Sequence, residues 1–286
     1  MSKVIQKVGV LGSGQMGGGI AQTAAQAGFE VLLADQTLEI AEKGKAKVAS
    51  QLKKQIEKGK MTEPETQKLL SLIRPVGSMQ DLASADLVVE AVSENPELKF
   101  QIFKKLDEVC AKDTILASNT SSISITVIAA KTKRPSQVVG MHFMNPVPVM
   151  KLVEGIRGIQ TSDETFRSVR AASEKMGKTF IEARDFPGFA VNRILMPMIN
   201  EAVTALHEGV ASIEDIDAAM MLGTNQPMGP LTLADFIGLD TCLAIMEVLH
   251  TGLGDSKYRP SPLLKQYVAA GWLGRKAGRG FYRYDQ

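Results

Sequence analysis

The stretch Lys7-Val8-Gly9-Val10-Leu11-Gly12-Ser13-Gly14-Gln15-Met16-Gly17 sets an apolar strand directly before a glycine-rich turn, and the turn opens a helix that reads to Ala27. In a G-x-G-x-x-G placed this way the first glycine makes the tight turn and the second lets backbone approach a pyrophosphate. The third permits close helix–strand packing, and the helix amides face the phosphate oxygens. The next strand, Glu30 to Ala34, ends in Asp35, 18 residues after Gly17, where a carboxylate can accept hydrogen bonds from both adenosine ribose hydroxyls. Gly12, Gly14, Gln15, Met16, Gly17 and Asp35 are therefore candidate cofactor residues, and the cofactor they suit is NAD. A 2'-phosphate would meet the negative charge of Asp35, and no arginine follows nearby to neutralise it. The competing reading makes Asp35 an ordinary strand-end surface residue.

Around this motif, Val8 to Phe29 is a run of 22 residues without a charge, long enough to raise a membrane span. Seven glycines and five polar residues within it argue against one, and the short strand that runs straight into glycines does not fit a cleavable signal. The whole chain has 286 residues, 44% hydrophobic and 22% charged, which is the balance of a folded globular protein of one large or two ordinary domains. Thirty-three basic against 31 acidic residues leave a formal charge of +2, so composition makes no case for nucleic acid or membrane binding. Cys110 and Cys242 form no C-x-x-C pair and suit reduced core positions in a reducing, cytoplasmic setting; no metal site is expected.

Apolar strand signals recur through the first two thirds, at KVGVLGS, FEVLLAD, ADLVVEAV, DTILASN, QVVGMHFM, MKLVEGI and KTFIEA, with helix or loop stretches between them. Such runs suit strands buried on both faces, so the predicted fold is α/β, a doubly wound, mostly parallel sheet. After Pro187-Gly188 the texture becomes helical, with helices predicted over 192–208, 213–222, 231–250 and 262–270. The expected division is a cofactor-binding domain over 1–186 and a C-terminal all-helical domain over 187–286. Ser212, three residues before Asp215, is a helix start signal, and the helix 192–208 carries an apolar face wide enough to bury against more than its own domain.

Of three histidines, His207 and His250 lie within or at the end of helices and read as structural, whereas His142 ends a buried strand at the carboxyl edge, where doubly wound sheets place ligands. Glu154, twelve residues on, sits in the next strand and could hold one imidazole nitrogen. A carboxylate there fixes the tautomer and leaves the other nitrogen to exchange a proton with an alcohol or carbonyl oxygen. A buried structural histidine is the alternative. Glu90 and Glu94, at the end of ADLVVEAV and just beyond it, could line the nicotinamide end or simply be solvated.

The glycine motif with Asp35, Ser118-Asn119-Thr120-Ser121-Ser122, the segment HFMNPVPVMKLVE and Pro187-Gly188-Phe189-Ala190-Val191-Asn192-Arg193 together closely resemble the 3-hydroxyacyl-CoA dehydrogenase family. The likeness extends over nearly the whole chain, including GPLTLADFIGLD and GRKAGRGFYRY, and points to the single-function bacterial branch acting on 3-hydroxybutyryl-CoA. The resemblance implies a Rossmann-type domain and an NAD-dependent oxidoreductase interconverting a short (3S)-hydroxyacyl-CoA and its 3-ketoacyl-CoA. It implies a catalytic dyad of His142 and Glu154, with Ser121 binding the substrate oxygen and the cofactor and Asn192 holding the thioester and reacting oxygen. Glu94, Lys99, Asn145 and Lys276 are implied cofactor contacts, for each of which the alternative is a plain surface polar residue.

Lys43, Lys45, Lys47, Lys53, Lys54, Lys58 and Lys60 crowd the helix read over 37–60. Such a run is ordinarily a solvated face; the resemblance implies that it reaches coenzyme A, with Gln51, Lys54 and Lys58 as candidate contacts. A homodimer through the helical domain is expected from its apolar face and from the resemblance. Two other readings are compatible with the same residues: a dehydrogenase of a free hydroxy acid, and a non-enzymatic NAD-binding or structural relative.

Overall fold

The structure is a computed structural model that describes residues 2–284. It divides into two compact units, Met1–Asp185 and Phe186–Gln286. In the first unit the chain runs β1 (Lys7–Leu11), α1 (Gln15–Gln26), β2 (Glu30–Ala34), α2 (Leu38–Glu57), α3 (Glu63–Leu72), β3 (Ile73–Val76), β4 (Leu87–Glu90) and α4 (Pro96–Val109). It continues through β5 (Ile115–Ser118), α5 (Ile125–Ala129), β6 (Val138–Phe143), β7 (Leu152–Arg157), α6 (Asp163–Lys175) and β8 (Thr179–Arg184). One eight-stranded sheet results, ordered β3-β2-β1-β4-β5-β6-β7-β8, parallel throughout except that β7 runs against β6. This is the mostly parallel, doubly wound sheet that the apolar runs predict. Its central strands are buried end to end, from Val8 to Leu11 in β1, along all of β4 and β5, and along all of β6. Burial on both faces explains why these segments are continuous apolar runs and do not alternate.

Two elements lie outside the sequence expectations. β3 is the four-residue Ile-Arg-Pro-Val at the sheet edge, where a proline without an N–H is tolerated. α3 before it starts on a capping box, with Thr62 accepting from Glu65 N and the Glu65 carboxylate accepting from Thr62 N.

The second unit holds α7 (Val191–His207), α8 (Ile213–Gly223), α9 (Pro230–Ile237), α10 (Leu239–Leu253) and α11 (Pro262–Ala269). The helix predicted over 231–250 is in fact α9 and α10, broken at Gly238, whose φ of +102° no helix interior accommodates. The unit has its own core, including Met196, Val203, Leu231, Leu239, Met246 and Leu264. Ser212 caps α8 by accepting from Asp215 N, as its spacing predicts. Cys110 and Cys242 are free thiols, and burial pushes them up to about 11 and about 12 respectively, so both stay protonated and inert at neutral pH. Among the described residues no helix is long and apolar enough to cross a membrane, and no group of three or more His, Cys, Asp or Glu could hold a metal ion.

Candidate active site

The strand order reverses beside β1, and the carboxyl ends of β1, β2 and β4 open there onto a cavity of about 600 Å³. Its lining includes Gly12, Gly14, Asp35, Gln36, Ala91 and Val92. Two glycines are demanded by geometry. Gly12 has φ +100° and its Cα lies so close to β4 that a Cβ would stand 2.7 Å from the Ala91 carbonyl oxygen. At Gly17 a Cβ would overlap the Gly12 carbonyl oxygen, so a side chain there would push α1 off the turn. Gly14 differs: a Cβ would meet no protein atom within 4 Å, leaving an open cradle before the α1 amides. The space above Gly14, at the start of a 12-residue helix, fits the pyrophosphate of a dinucleotide.

Asp35 stands at the mouth of this cavity. Its Oδ2 accepts from Ser13 N and Ser13 Oγ, both at 2.7 Å, and its Oδ1 accepts from Gln36 N at 2.8 Å. Burial would raise this carboxyl, but the Ser13 and Gln36 donors outweigh it and hold Asp35 below the ordinary aspartate range. The side chain is thus kept ionised and fixed in direction beside the turn. Gln15, at the start of α1, donates from Nε2 to Asn145 Oδ1 at 3.0 Å, joining two of the predicted cofactor residues across the glycine turn and the loop after β6. Met16, the other turn residue, is partly buried and packs against the main core.

His142 and Glu154 are directly opposed across the antiparallel β6–β7 pair, and His142 Nδ1 lies 2.7 Å from Glu154 Oε2. Both are buried, Glu154 completely. Next to them, Asn119 Oδ1 accepts from Phe143 N at 2.9 Å and ties the end of β5 to the end of β6. The loop that follows β6 is held from beneath by Lys178, a buried lysine whose Nζ donates to Val147 O and Met150 O at 2.5 and 2.8 Å. Burial lowers the Lys178 ammonium, with the neighbouring charge of Lys151 acting in the same direction. Neither Asn119 nor Lys178 is a candidate from sequence, although Asn119 lies within the quoted serine segment.

Glu94 organises the serines. Its Oε1 accepts from Thr120 Oγ1 at 2.5 Å, from Ser121 N and Oγ at 2.9 and 3.2 Å, and from Ser122 N and Oγ at 3.2 and 3.1 Å. Burial would raise Glu94; Lys99 and these donors win and hold it below the ordinary glutamate range. Lys99 is not the surface lysine that the sequence allowed. It is 1% exposed, with Nζ 2.6 Å from Glu90 and 3.4 Å from Glu94. Glu90 is likewise buried rather than solvated.

On α2, Ala41, Gly44, Val48 and Leu52 face inward, and Gln51 and Lys54 stand exposed; the helix ends at Glu57, short of the predicted 60, so the exposed Lys58 caps it and Lys60 lies beyond it. In the second unit Asn192 is buried in the first turn of α7, and Lys276 pairs with Asp240 at 2.6 Å.

A family model described as the 3-hydroxyacyl-CoA dehydrogenase NAD-binding domain matches residues 7–186, and one for the C-terminal domain of the same family matches 188–284. A probable 3-hydroxybutyryl-CoA dehydrogenase of Bacillus subtilis is 60% identical over 282 residues, covering 99% of this chain and 98% of the relative. The mitochondrial hydroxyacyl-coenzyme A dehydrogenase of Homo sapiens is 44% identical, covering 98% of this chain and 92% of its own. Among solved structures, an (S)-3-hydroxybutyryl-CoA dehydrogenase from Ralstonia eutropha superimposes with a TM-score of 0.96 at 53% identity, covering 99% of this chain and 100% of that one. With both halves matched in order and relatives aligned end to end, the chain belongs to the 3-hydroxyacyl-CoA dehydrogenase family and is an NAD-dependent oxidoreductase.

Proposed function

We propose that this enzyme interconverts (3S)-3-hydroxybutyryl-CoA and acetoacetyl-CoA, with His142 as general acid–base. The observation that carries the reading is the Nδ1 to Oε2 hydrogen bond of 2.7 Å between His142 and Glu154 at the carboxyl edge of the sheet. With Nδ1 committed to the carboxylate, Nε2 takes the proton from the C3 hydroxyl in oxidation and returns it to the C3 oxygen in reduction. The Glu154 carboxylate, completely buried, stabilises the imidazolium formed on the way. NAD, when bound, supplies the acceptor for the C3 hydride. Ser121 and Asn192 hold the reacting oxygen and stabilise charge that develops on it.

Residues 1–186 serve cofactor and chemistry, and 187–286 serve substrate and association. Asp35 receives the adenosine ribose and sets the preference for NAD. Asn145 and Lys276 support the cofactor. The exposed Gln51, Lys54 and Lys58 meet coenzyme A, the lysines as point charges toward its phosphates. The helical unit leaves Ile194 73% and Leu222 85% exposed, which supports a homodimer formed through it, and the likeness to a bacterial relative supports a cytoplasmic enzyme.

Loss of NADH absorbance at 340 nm tests the reading: acetoacetyl-CoA is reduced rapidly and acetoacetate is not. Equal rates on both would discard the coenzyme A role of α2. His142→Gln should lower kcat at least about 100-fold, the size of a lost general acid–base, with NADH binding kept; wild-type turnover would remove His142 from the mechanism.

A further inference from the structure

We propose that Glu90 is a positioning residue, acting through Lys99 and Glu94 to hold the Ser121 hydroxyl at the reacting oxygen; the inference rests on the role of Ser121 given above.

Glu90 is the last residue of β4 and is wholly buried. Its Oε1 accepts from Lys99 Nζ at 2.6 Å and from Val92 N at 2.8 Å, and its Oε2 accepts from Ser118 Oγ at 2.7 Å. Lys99 reaches onward to Glu94, and Glu94 gathers the donors of Thr120, Ser121 and Ser122. The segment from Ser118 to Ser122 is thus gripped at one end by Glu90 and along the rest by Glu94, and one ammonium joins the two carboxylates.

Stability does not account for this arrangement. A fully desolvated ion pair gains little over neutral residues of similar volume. Lys99 also stands in the first turn of α4, where the helix dipole disfavours a cation. What the triad does supply is direction. Without the ammonium, the buried Glu90 carboxylate would face the part-exposed Glu94 carboxylate unshielded, and Glu94 would take a proton or turn away. Either change releases the serines it holds. Of the two Ser121 bonds to Glu94 the amide's is the shorter, 2.9 against 3.2 Å for the hydroxyl, so Glu94 fixes the Ser121 backbone and leaves the hydroxyl proton able to turn to the reacting oxygen.

The test compares Glu90→Gln, Ser121→Ala, both together, and the neutral pair Glu90→Gln/Lys99→Met, by steady-state reduction of acetoacetyl-CoA and thermal unfolding. Glu90→Gln should lower kcat about 10-fold to 100-fold, the range for loss of an outer partner of a site residue, and should add nothing in the Ser121→Ala background. The neutral pair should unfold at or above the wild-type temperature and still show the lowered kcat. Full kcat in the neutral pair, or a Glu90→Gln effect that multiplies undiminished onto Ser121→Ala, would overturn the proposal and leave Glu90 a structural residue. Wild-type kcat in Ser121→Ala alone would instead strike the role of Ser121 itself, and the positioning proposal with it.

Discussion

Each unit holds a pair of acidic side chains, of which Glu90 in the sheet unit and both Asp217 and Asp235 in the helical unit are buried, and the two pairs are satisfied in opposite ways. In the sheet unit Glu90 and Glu94 share the Lys99 ammonium, and their other donors are Val92 N and the segment from Ser118, at the end of β5, to Ser122. In the helical unit Asp217 and Asp235 share no cation among the described residues. Asp217 accepts from Leu231 N, Thr232 N and the Tyr282 hydroxyl, and Asp235 accepts from Phe281 N, Tyr282 N and the Tyr284 hydroxyl. The second pair is a clasp that fixes Phe281, Tyr282 and Tyr284 onto α8 and α9. The sign of the effect on each carboxyl follows from the partner: Glu94 is held below its ordinary range, while burial, aided by the charge of Asp217, raises Asp235 despite its three donors. A buried acid therefore says little about function until the charge that faces it is known.

The contrast breaks most visibly in turnover. Glu94→Ala should cut kcat about 100-fold, as expected when a reacting contact is displaced by roughly an ångström, whereas Asp235→Ala should leave kcat of the folded protein near wild type. The same two variants should exchange places in stability. Removing Asp235 orphans one buried donor, Phe281 N, and two part-buried ones, Tyr282 N and the Tyr284 hydroxyl, at about 1 kcal/mol each, so its thermal midpoint should fall by several degrees and that of Glu94→Ala by fewer. If both variants lose turnover and stability in the same proportion, the distinction between a functional and a structural acid pair is wrong.

Acid titration sharpens the contrast further. Glu94, lowered on folding, contributes stability that is present above 4.5 and lost as pH falls through its folded value. Asp235, raised on folding, contributes stability that is present below 3.8 and lost as pH rises through its folded value. Unfolding temperatures measured from pH 3 to pH 6 should therefore decline less steeply toward acid in Glu94→Gln than in wild type, and more steeply in Asp235→Asn. The smallest effect concerns the cofactor: Asp35→Ala should weaken NADH binding and narrow the preference over NADPH by about 1–2 kcal/mol, the loss of a charge-assisted hydrogen bond, with kcat at saturation nearly kept. Unchanged coenzyme kinetics would leave Asp35 only its bonds to Ser13.

Where periodicity and burial coincide, the architecture is legible from the residues. The apolar runs of β1, β4, β5 and β6 announce a two-sided sheet, and the glycine turn with Asp35 announces where its cavity opens. Short edge elements escape: β3, with Arg74 and Pro75 in four residues, has neither a continuous apolar run nor alternation. Gly238 could equally have been a weak point inside one helix, and only its positive φ separates α9 from α10. Within the site, the opposition of His142 and Glu154 is readable from two neighbouring strands and a short connection. The burial of Lys99 is not, because nothing in one sequence states that its ammonium lies between Glu90 and Glu94, one on β4 and the other on the turn beyond it.

The antiparallel step between β6 and β7 makes the His142–Glu154 hydrogen bond a parity check on the pairing of these two strands. Side chains alternate faces along a strand, so a shift of one residue would send Glu154 to the opposite face from His142. No rotamer could then restore the bond. The Nδ1 proton resonance of His142 therefore reports backbone registration as well as chemistry, and a variant in which it appears unchanged has kept every pairing from Gly140–Ile156 to Phe143–Val153 in place.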